Sequence, residues 1–320
     1  MGYRMEVGRI QMAWVGKRLV LCRLFGNRAC ITVNYLLHLE APMPDLAVPS
    51  VSTASSRMRA LLAISQRELV KFWHQRGRLV SALVRPALWL IVFAAGFQNV
   101  FGVSIIPPYE TYIEYQVYVV PGLLGMVLLF NGMQSSLAMV YDREMGLMRL
   151  LLTAPQPRWF LLFSKLMAGT VLSVVQAYAF LVLCALFQVD IPWSGWLYAL
   201  PAMILAGMML GALGLLLSVY IKQLENFAGT MNFVIFPMFF ISTALYPLWK
   251  LQESGAEIVY QLARFNPFTH AVELIRFALY GQFNAVGLGV VLVALAIFFL
   301  LAVRGYDPQS GMVNKGRGKG

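Results

Sequence analysis

Ionisable residues are scarce in this chain, so their clusters mark where chemistry or partner contact can be built. One such cluster is the stretch from Tyr141 to Lys165, YDREMGLMRLLLTAPQPRWFLLFSK, a short charged segment set between two long uncharged intervals. Asp142, Arg143 and Glu144 stand side by side at its start, and a helix-like pattern runs on through Arg149 to a break at Ala154-Pro155-Gln156-Pro157. A second helix can restart at Pro157, because proline at the first helical position loses only an N–H that is unpaired there anyway. Two roles suit the carboxylates of Asp142 and Glu144: compensation of a positive helix end, or charge pairing with another protein. A second charged pair, Glu273 and Arg276, lies one helical step apart. At an exposed position it would form an ion pair worth about 0–1 kcal/mol.

Other chemistry is missing from the sequence. His38, His74 and His270 are far apart, and Cys22, Cys30 and Cys184 form no CxxC or Cys/His cluster, so no metal-ligand spacing or disulfide framework is present. The glycines and lysines of the tail GMVNKGRGKG lack the order of a phosphate-binding loop. That tail reads as a solvated basic segment facing anionic lipid. No H-E-x-x-H, no hydrolase-type G-x-S-x-G and no acid/base carboxylate pair occurs. The expectation is a chain with no catalytic residue, no cofactor and no metal. Its long apolar intervals hold no charge near their centres, unlike ion-driven transporters. If the protein moves a solute, the energy arrives from elsewhere.

The elements that must position these residues are membrane elements. Of 320 residues, 59% are hydrophobic and 12% charged, and mean hydropathy is +0.69. Soluble domains carry about 25% charged residues. The net charge of +11 is spread over the ends of apolar runs. It is therefore a topology signal rather than a nucleic-acid-binding face. Uncharged intervals long enough to cross a bilayer are Pro86–Pro108, Gln116–Tyr141, Leu166–Val189, Ile191–Ile221, Asn226–Trp249 and Phe277–Val303. They predict an all-α integral membrane protein of about six spans over residues 86–303. Taking the flanks in alternation puts sixteen Lys and Arg on one side and three on the other. The positive-inside rule then places both termini and the Asp142 segment in the cytoplasm.

Residues 58–85 are predicted to form an interfacial amphipathic helix. Leu62, Leu69, Trp73, Val80 and Leu83 recur at helical spacing beside Arg67, Lys71, Arg76 and Arg78. Arg76 and Arg78 suit anchoring at lipid headgroups or contact with a partner. Residues 1–57 are expected to be either a disordered extension or an upstream stretch preceding a true start at Met58. The tract APMPDLAVPSVSTASS in particular is too poor in apolar residues to order itself. Residues 304–320 form a basic cytoplasmic tail. The segment from Leu248 to Gln282 is too polar to cross. After Asn266-Pro267 it reads as an amphipathic helix with Ala271, Leu274, Ile275 and Ala278 on one side, dipping into the outer leaflet and returning. Gly207 and Gly211 have the spacing of close helix approach, and Gly122, Gly125, Gly169, Gly214 and Gly287 offer similar sites; both tight packing and dimerisation use such residues. Trp193, Trp196, Trp249 and Tyr246 fit an interfacial belt. A substrate path lined by Tyr115, Tyr118 and Phe130 is conceivable.

The order of these parts resembles the ABC type-2 permease family. The resemblance is carried by the interfacial helix, about six spans and two motifs. The first is the elbow of Asp142, Arg143, Glu144, Gly146, Arg149, Leu151, Leu152 and Pro155. The second is Asn266, Pro267, Phe268, Thr269, Ala271, Val272, Glu273 and Arg276 before the last span. The text from Tyr118 to Pro155 is most similar to permeases associated with pyrroloquinoline-quinone-dependent alcohol oxidation. It is also similar to permeases for nodulation lipo-oligosaccharides and for anthracycline drugs. The resemblance implies the membrane subunit of an ATP-driven exporter in a bacterial inner membrane. Two copies would pair with two copies of a separate ATPase, which binds the ATP and presses on the elbow and the interfacial helix. In that scheme Glu144 and Arg149 meet the ATPase, Gly146 permits close approach and Pro155 ends the helix. The readings to be weighed against it are a secondary transporter or channel, which needs intramembrane charge or broken half-helices, and a membrane-embedded lipid-modifying enzyme, which needs convergent polar groups at one depth.

Overall fold

The computed structural model describes the backbone of residues 4–7, 10–15, 18–23, 30–33, 58–59, 61–63, 65–67, 70, 76–97, 107–109, 113–145, 157–221 and 223–306. The chain divides into two units, Met1–Val51 and Ser52–Gly320.

In the first unit the described residues, 4–7, 10–15, 18–23 and 30–33, are strands. Four strands, β1 (Arg4–Val7), β2 (Ile10–Val15), β3 (Arg18–Arg23) and β4 (Cys30–Val33), pair antiparallel in chain order. Val7 pairs with Ile10 and Val15 with Arg18, so two residues connect each of the first two pairs. Those pairs are Gly8-Arg9 and Gly16-Lys17, and glycine-first dipeptides are a hairpin signal. The Pro/Ser/Thr-rich tract lies outside the described residues.

The second unit is helical. Its elements are α1 (Arg76–Phe97), α2 (Tyr115–Glu144), α3 (Arg158–Leu186), α4 (Trp193–Tyr220) and α5 (Leu224–Phe240). Three short helices follow, α6 (Leu248–Glu253), α7 (Glu257–Phe265) and α8 (Pro267–Leu279), and then α9 (Ala285–Gly305). Among the described residues four helices are long and apolar enough to cross a membrane: α2, α3 from Trp159, α4 and α9. The expected fifth span is divided. α5 has 17 residues, a length of about 25 Å at 1.5 Å per residue, and the chain then turns through Ser242–Tyr246. The expected sixth span starts later, at Ala285, because Phe277–Leu279 belongs to α8.

The boundary drawn between Arg85 and Pro86 is absent. α1 runs through it, with Pro86 inside the helix. A proline there removes the donor to the carbonyl of Ala82, which membrane helices tolerate where neighbours supply other partners. Shorter helical pieces at 58–59, 61–63 and 65–67 precede α1, and Met58 and Leu62 are exposed there.

α2 and α4 form the centre. α2 is apolar all round, and Val120, Leu123, Leu124, Leu128, Leu129 and Met133 are fully enclosed. Such a helix belongs in a core. The two helices approach closely where Gly132 meets Gly211: a Cβ on Gly132 would stand 3.0 Å from the Gly211 Cα. Gly211 also faces Leu166 of α3. The small residues of α4 are therefore used for packing within one chain. α1, α3, α5, α8 and α9 pack around this pair. Leu88, Ile91, Val92, Val175, Val182, Phe233, Val293 and Ile297 point outward, as lipid-facing residues of a bundle do.

Candidate functional site

At one end of the bundle the charges of the elbow close on one another. Asp142 is 2% exposed, on the last turn of α2. Lys165 of α3 donates from Nζ to its Oδ2 at 3.1 Å. Below the pair lies an apolar cluster that includes Met139, Leu162, Leu166, Leu215 and Val219. The next residue, Arg143, donates from Nη2 to the carbonyls of Ser218 at 2.8 Å and Ile221 at 2.9 Å. These are carbonyls of the last turn of α4 that no further helical turn satisfies. Glu144 turns the other way, and its Oε1 accepts from the backbone N–H of Leu224 at 2.9 Å. Leu224 is the first residue of α5, whose own N-cap, Gln223, makes no side-chain cap. A cation thus sits at the negative end of α4 and a carboxylate at the positive end of α5, the favourable sign in both cases. Asp142, Arg143 and Glu144 tie α2 to α3, α4 and α5.

The sequence expected capping by these carboxylates or contact with a partner. Glu144 does cap a helix, but that of α5 rather than a helix of its own segment. Lys165, Ser218, Ile221 and Leu224 were not foreseen as partners, because they lie 23 to 80 residues away in sequence. Pro157 is the N-cap of α3, one position before the helix proper. Gly146, Arg149 and Pro155 lie outside the described residues, as does Lys71. Arg67 is exposed in the piece before α1, and the backbones of Arg76 and Arg78 lie on the first turn of α1.

The second motif organises the opposite end. Asn266 caps α8, accepting from the N–H of Phe268 at 2.9 Å, while Pro267 opens the helix. The Asn266 Nδ2 also donates to Met238 O at 2.8 Å and Ile241 O at 2.7 Å, holding the last turn of α5. Ala271, Leu274 and Ile275 are buried as their spacing predicted, packed among α2, α4 and α9.

The Glu273–Arg276 pair forms, but not at the exposed position expected. Arg276 is 2% exposed. Nη1 donates to Glu273 Oε1, and Nη2 donates to the carbonyl of Thr243 at 2.7 Å, with that of Tyr118 at 3.5 Å. Its guanidinium carbon lies 4.1 Å from the centre of the Tyr118 ring. The buried arginine therefore joins α8, α2 and the turn after α5. Tyr118 donates to the Thr243 carbonyl at 3.1 Å and Tyr115 to that of Leu245 at 2.7 Å. Both tyrosines are core residues, 4% and 2% exposed. The sequence around Thr243 carried no signal for this junction, since its contacts are to backbone carbonyls.

Beside this junction lies a cavity of about 450 Å³ lined by Pro108, Tyr109, Pro192, Tyr198, Tyr280 and Gln282, among others. Tyr109 and Tyr280 meet edge to face at 4.8 Å. Burial pushes the Tyr109 hydroxyl up to about 12, so it remains protonated. Trp193 is exposed and stacks on Trp196 at 4.7 Å, the arrangement expected of an interfacial belt. Among the described residues no group of three or more His, Cys, Asp and Glu is placed to hold a metal.

The comparisons agree with this architecture. The family model described as ABC-2 type transporter matches residues 59–280. The "Putative transport permease ycf38" of Porphyra purpurea is 28% identical over 218 residues, covering 67% of this chain and 72% of that protein. The "Daunorubicin resistance ABC transporter permease protein DrrB1" of Streptomyces coeruleorubidus is 24% identical, covering 81% of this chain and 88% of its own length. The "Inner membrane transport permease YadH" of Escherichia coli K12 is 23% identical, covering 81% and 96%. A helical bundle with membrane-length spans, an elbow motif and the capped α8 agrees with the extent of that match, and the chain belongs to the ABC-2 type transporter family, as a transmembrane permease subunit of an ABC transporter.

Proposed function

We propose that this permease is the membrane half of an ATP-driven exporter in a bacterial inner membrane, worked by a separate ATPase. Two copies of the chain pair with two copies of the ATPase. Both termini and the Asp142–Glu144 end of the bundle face the cytoplasm, where Lys and Arg predominate. The observation that carries the reading is the elbow itself. Three consecutive charged side chains fasten the end of α2 to α3, α4 and α5. A push delivered there is shared by four helices rather than absorbed in a loop. Gly146, Arg149 and Pro155 follow directly in sequence and form the contact face with the ATPase, with Arg67, Lys71, Arg76 and Arg78 beside them or at lipid headgroups.

Names among the relatives support transport outward, since one is a drug-resistance permease, and an inner membrane, since another is an inner membrane permease. The similarity to permeases of quinone-dependent alcohol oxidation systems extends the proposal to that setting. ATPase and quinoprotein dehydrogenase genes beside this one would support that extension. The test of the main reading is purification of the tagged chain from native membranes. A stoichiometric ATPase should accompany it; stable chain eluting alone, with transport intact on reconstitution, would overturn the proposal.

A further inference from the structure

Arg85 is exposed on the side of the bundle, at a depth where a cation is costly. Its guanidinium carbon lies 4.0 Å from the centre of the Phe130 ring. Phe130 is the midpoint of α2, 15 residues from Tyr115 and 14 from Glu144. At 1.5 Å per residue that is about 20 Å from either end of the span, near the middle of a hydrocarbon layer about 30 Å thick. The sequence had grouped Arg85 with the interfacial residues, because Pro86 was taken as the start of the span. A charge at this depth is retained where it meets an aqueous or polar path.

The surroundings are built for an anion. Among the described residues Arg85 has no carboxylate within ion-pair distance. Among the described residues, the amide nitrogen of Asn131, on a residue 9% exposed, has no hydrogen-bond partner. Asn131 and Gln134 line the same pocket as Arg85 and Phe130, which holds about 10 Å³, so a head group would rest at its mouth, beside Arg85. A guanidinium and an unused amide N–H thus converge as donors. An apolar face of α1 continues from the pocket, with Val84, Leu88, Ile91 and Val92 all exposed.

We propose that Arg85, Asn131 and Gln134 form a binding point for the carboxylate or phosphate head of an acidic amphiphile, whose apolar body lies along α1. The proposal rests on the permease reading and names the substrate class for it. Free acidic amphiphiles and anionic bilayer lipids share this head chemistry.

The test uses the full chain in nanodiscs of phosphatidylcholine, without ATPase or nucleotide. The probe is a bromine-labelled stearate, with its methyl ester as control. The readout is quenching of Trp89, one helical turn from Arg85, isolated by subtracting the Trp89→Phe variant. The acid should quench saturably and the ester should not. Losing a charge-assisted hydrogen bond worth about 1.5–3 kcal/mol should weaken the acid about tenfold or more in Arg85→Gln. Arg85→Lys should keep most of the binding. Asn131→Asp, which leaves Arg85 in place but supplies a competing carboxylate, should lose it. Competition by phosphatidylglycerol in the disc assigns the site to bilayer lipid; no competition assigns it to the free amphiphile. Equal quenching by acid and ester, or unchanged acid binding in Arg85→Gln and Asn131→Asp, would overturn the proposal. Because no ATPase is present, failure here leaves the co-purification result standing, and the reverse also holds.

Discussion

Replacing Arg276 by methionine is expected to be among the most damaging single changes at the α8 end of the bundle. The side chain is 2% exposed and satisfies Glu273 and the carbonyl of Thr243 while lying on the Tyr118 ring. Methionine fills much of the same volume but donates nothing. The Glu273 carboxylate then loses its cation, and the Thr243 carbonyl keeps only the Tyr118 hydroxyl. Breaking a buried ion pair by removing one partner costs about 3–5 kcal/mol. The Glu273 side chain retains 21% exposure, so water compensates in part and the lower half of that range applies. For a unit of this size about 3 kcal/mol corresponds to roughly 6–12 °C in apparent melting temperature. Arg276→Lys should fall between, since it keeps the charge but loses the planar fork that reaches two acceptors at once. Glu273→Gln keeps an acceptor but leaves the buried guanidinium without its counter-charge, so it should also destabilise, by a similar amount. The assay is retention of a monodisperse elution peak after heating detergent-solubilised protein, compared with wild type. An Arg276→Met variant within about 2 °C of wild type would refute the reasoning, since a buried tie of this kind shifts melting by more.

Other outcomes follow from the same contacts. Arg143→Ala removes both donors to the end of α4, and a loss of about 1–3 kcal/mol is expected, read as faster hydrogen exchange at Ser218–Gln223 with the far end unaffected. Glu144→Lys puts a cation at the positive end of α5 and should leave the chain inserted while uncoupling transport from ATP turnover. Equal transport in a reconstituted assay would remove Glu144 from the coupling route. Gly122→Val should prevent folding, because even a Cβ at Gly122 would come 2.4 Å from the carbonyl oxygen of Ala244; normal yield of a monodisperse protein would contradict that packing.

Much of the membrane bundle was legible in the sequence because apolar run length is a long-range signal of its own. α2, α3 and α4 lie close to the intervals that predicted them, and the α8 face of Ala271, Leu274 and Ile275 was visible from helical spacing alone. Element ends were harder. Arg85-Pro86 looked like a boundary since charge and proline usually end a span, yet α1 continues through both. The β-hairpin signals at Gly8-Arg9 and Gly16-Lys17 were overshadowed by the polar tract that follows them. The charged residues of both motifs were identifiable, but their roles were not. Arg276 was placed in an exposed pair because local sequence shows its i−3 partner and not the helices that cover it. Arg143 and Glu144 were assigned outward because their partners at Ser218, Ile221 and Leu224 are backbone groups more than 70 residues distant.

The most direct measurement concerns which end of the bundle a partner ATPase touches. Met145 follows the elbow and is 62% exposed, while Trp193, at the other end of the span network, is 73% exposed. A photoreactive amino acid placed at Met145 in native membranes should cross-link to an ATPase subunit, and the same residue at Trp193 should not. Cross-linking to an ATPase from Trp193 but not from Met145 would contradict a motor acting through the elbow.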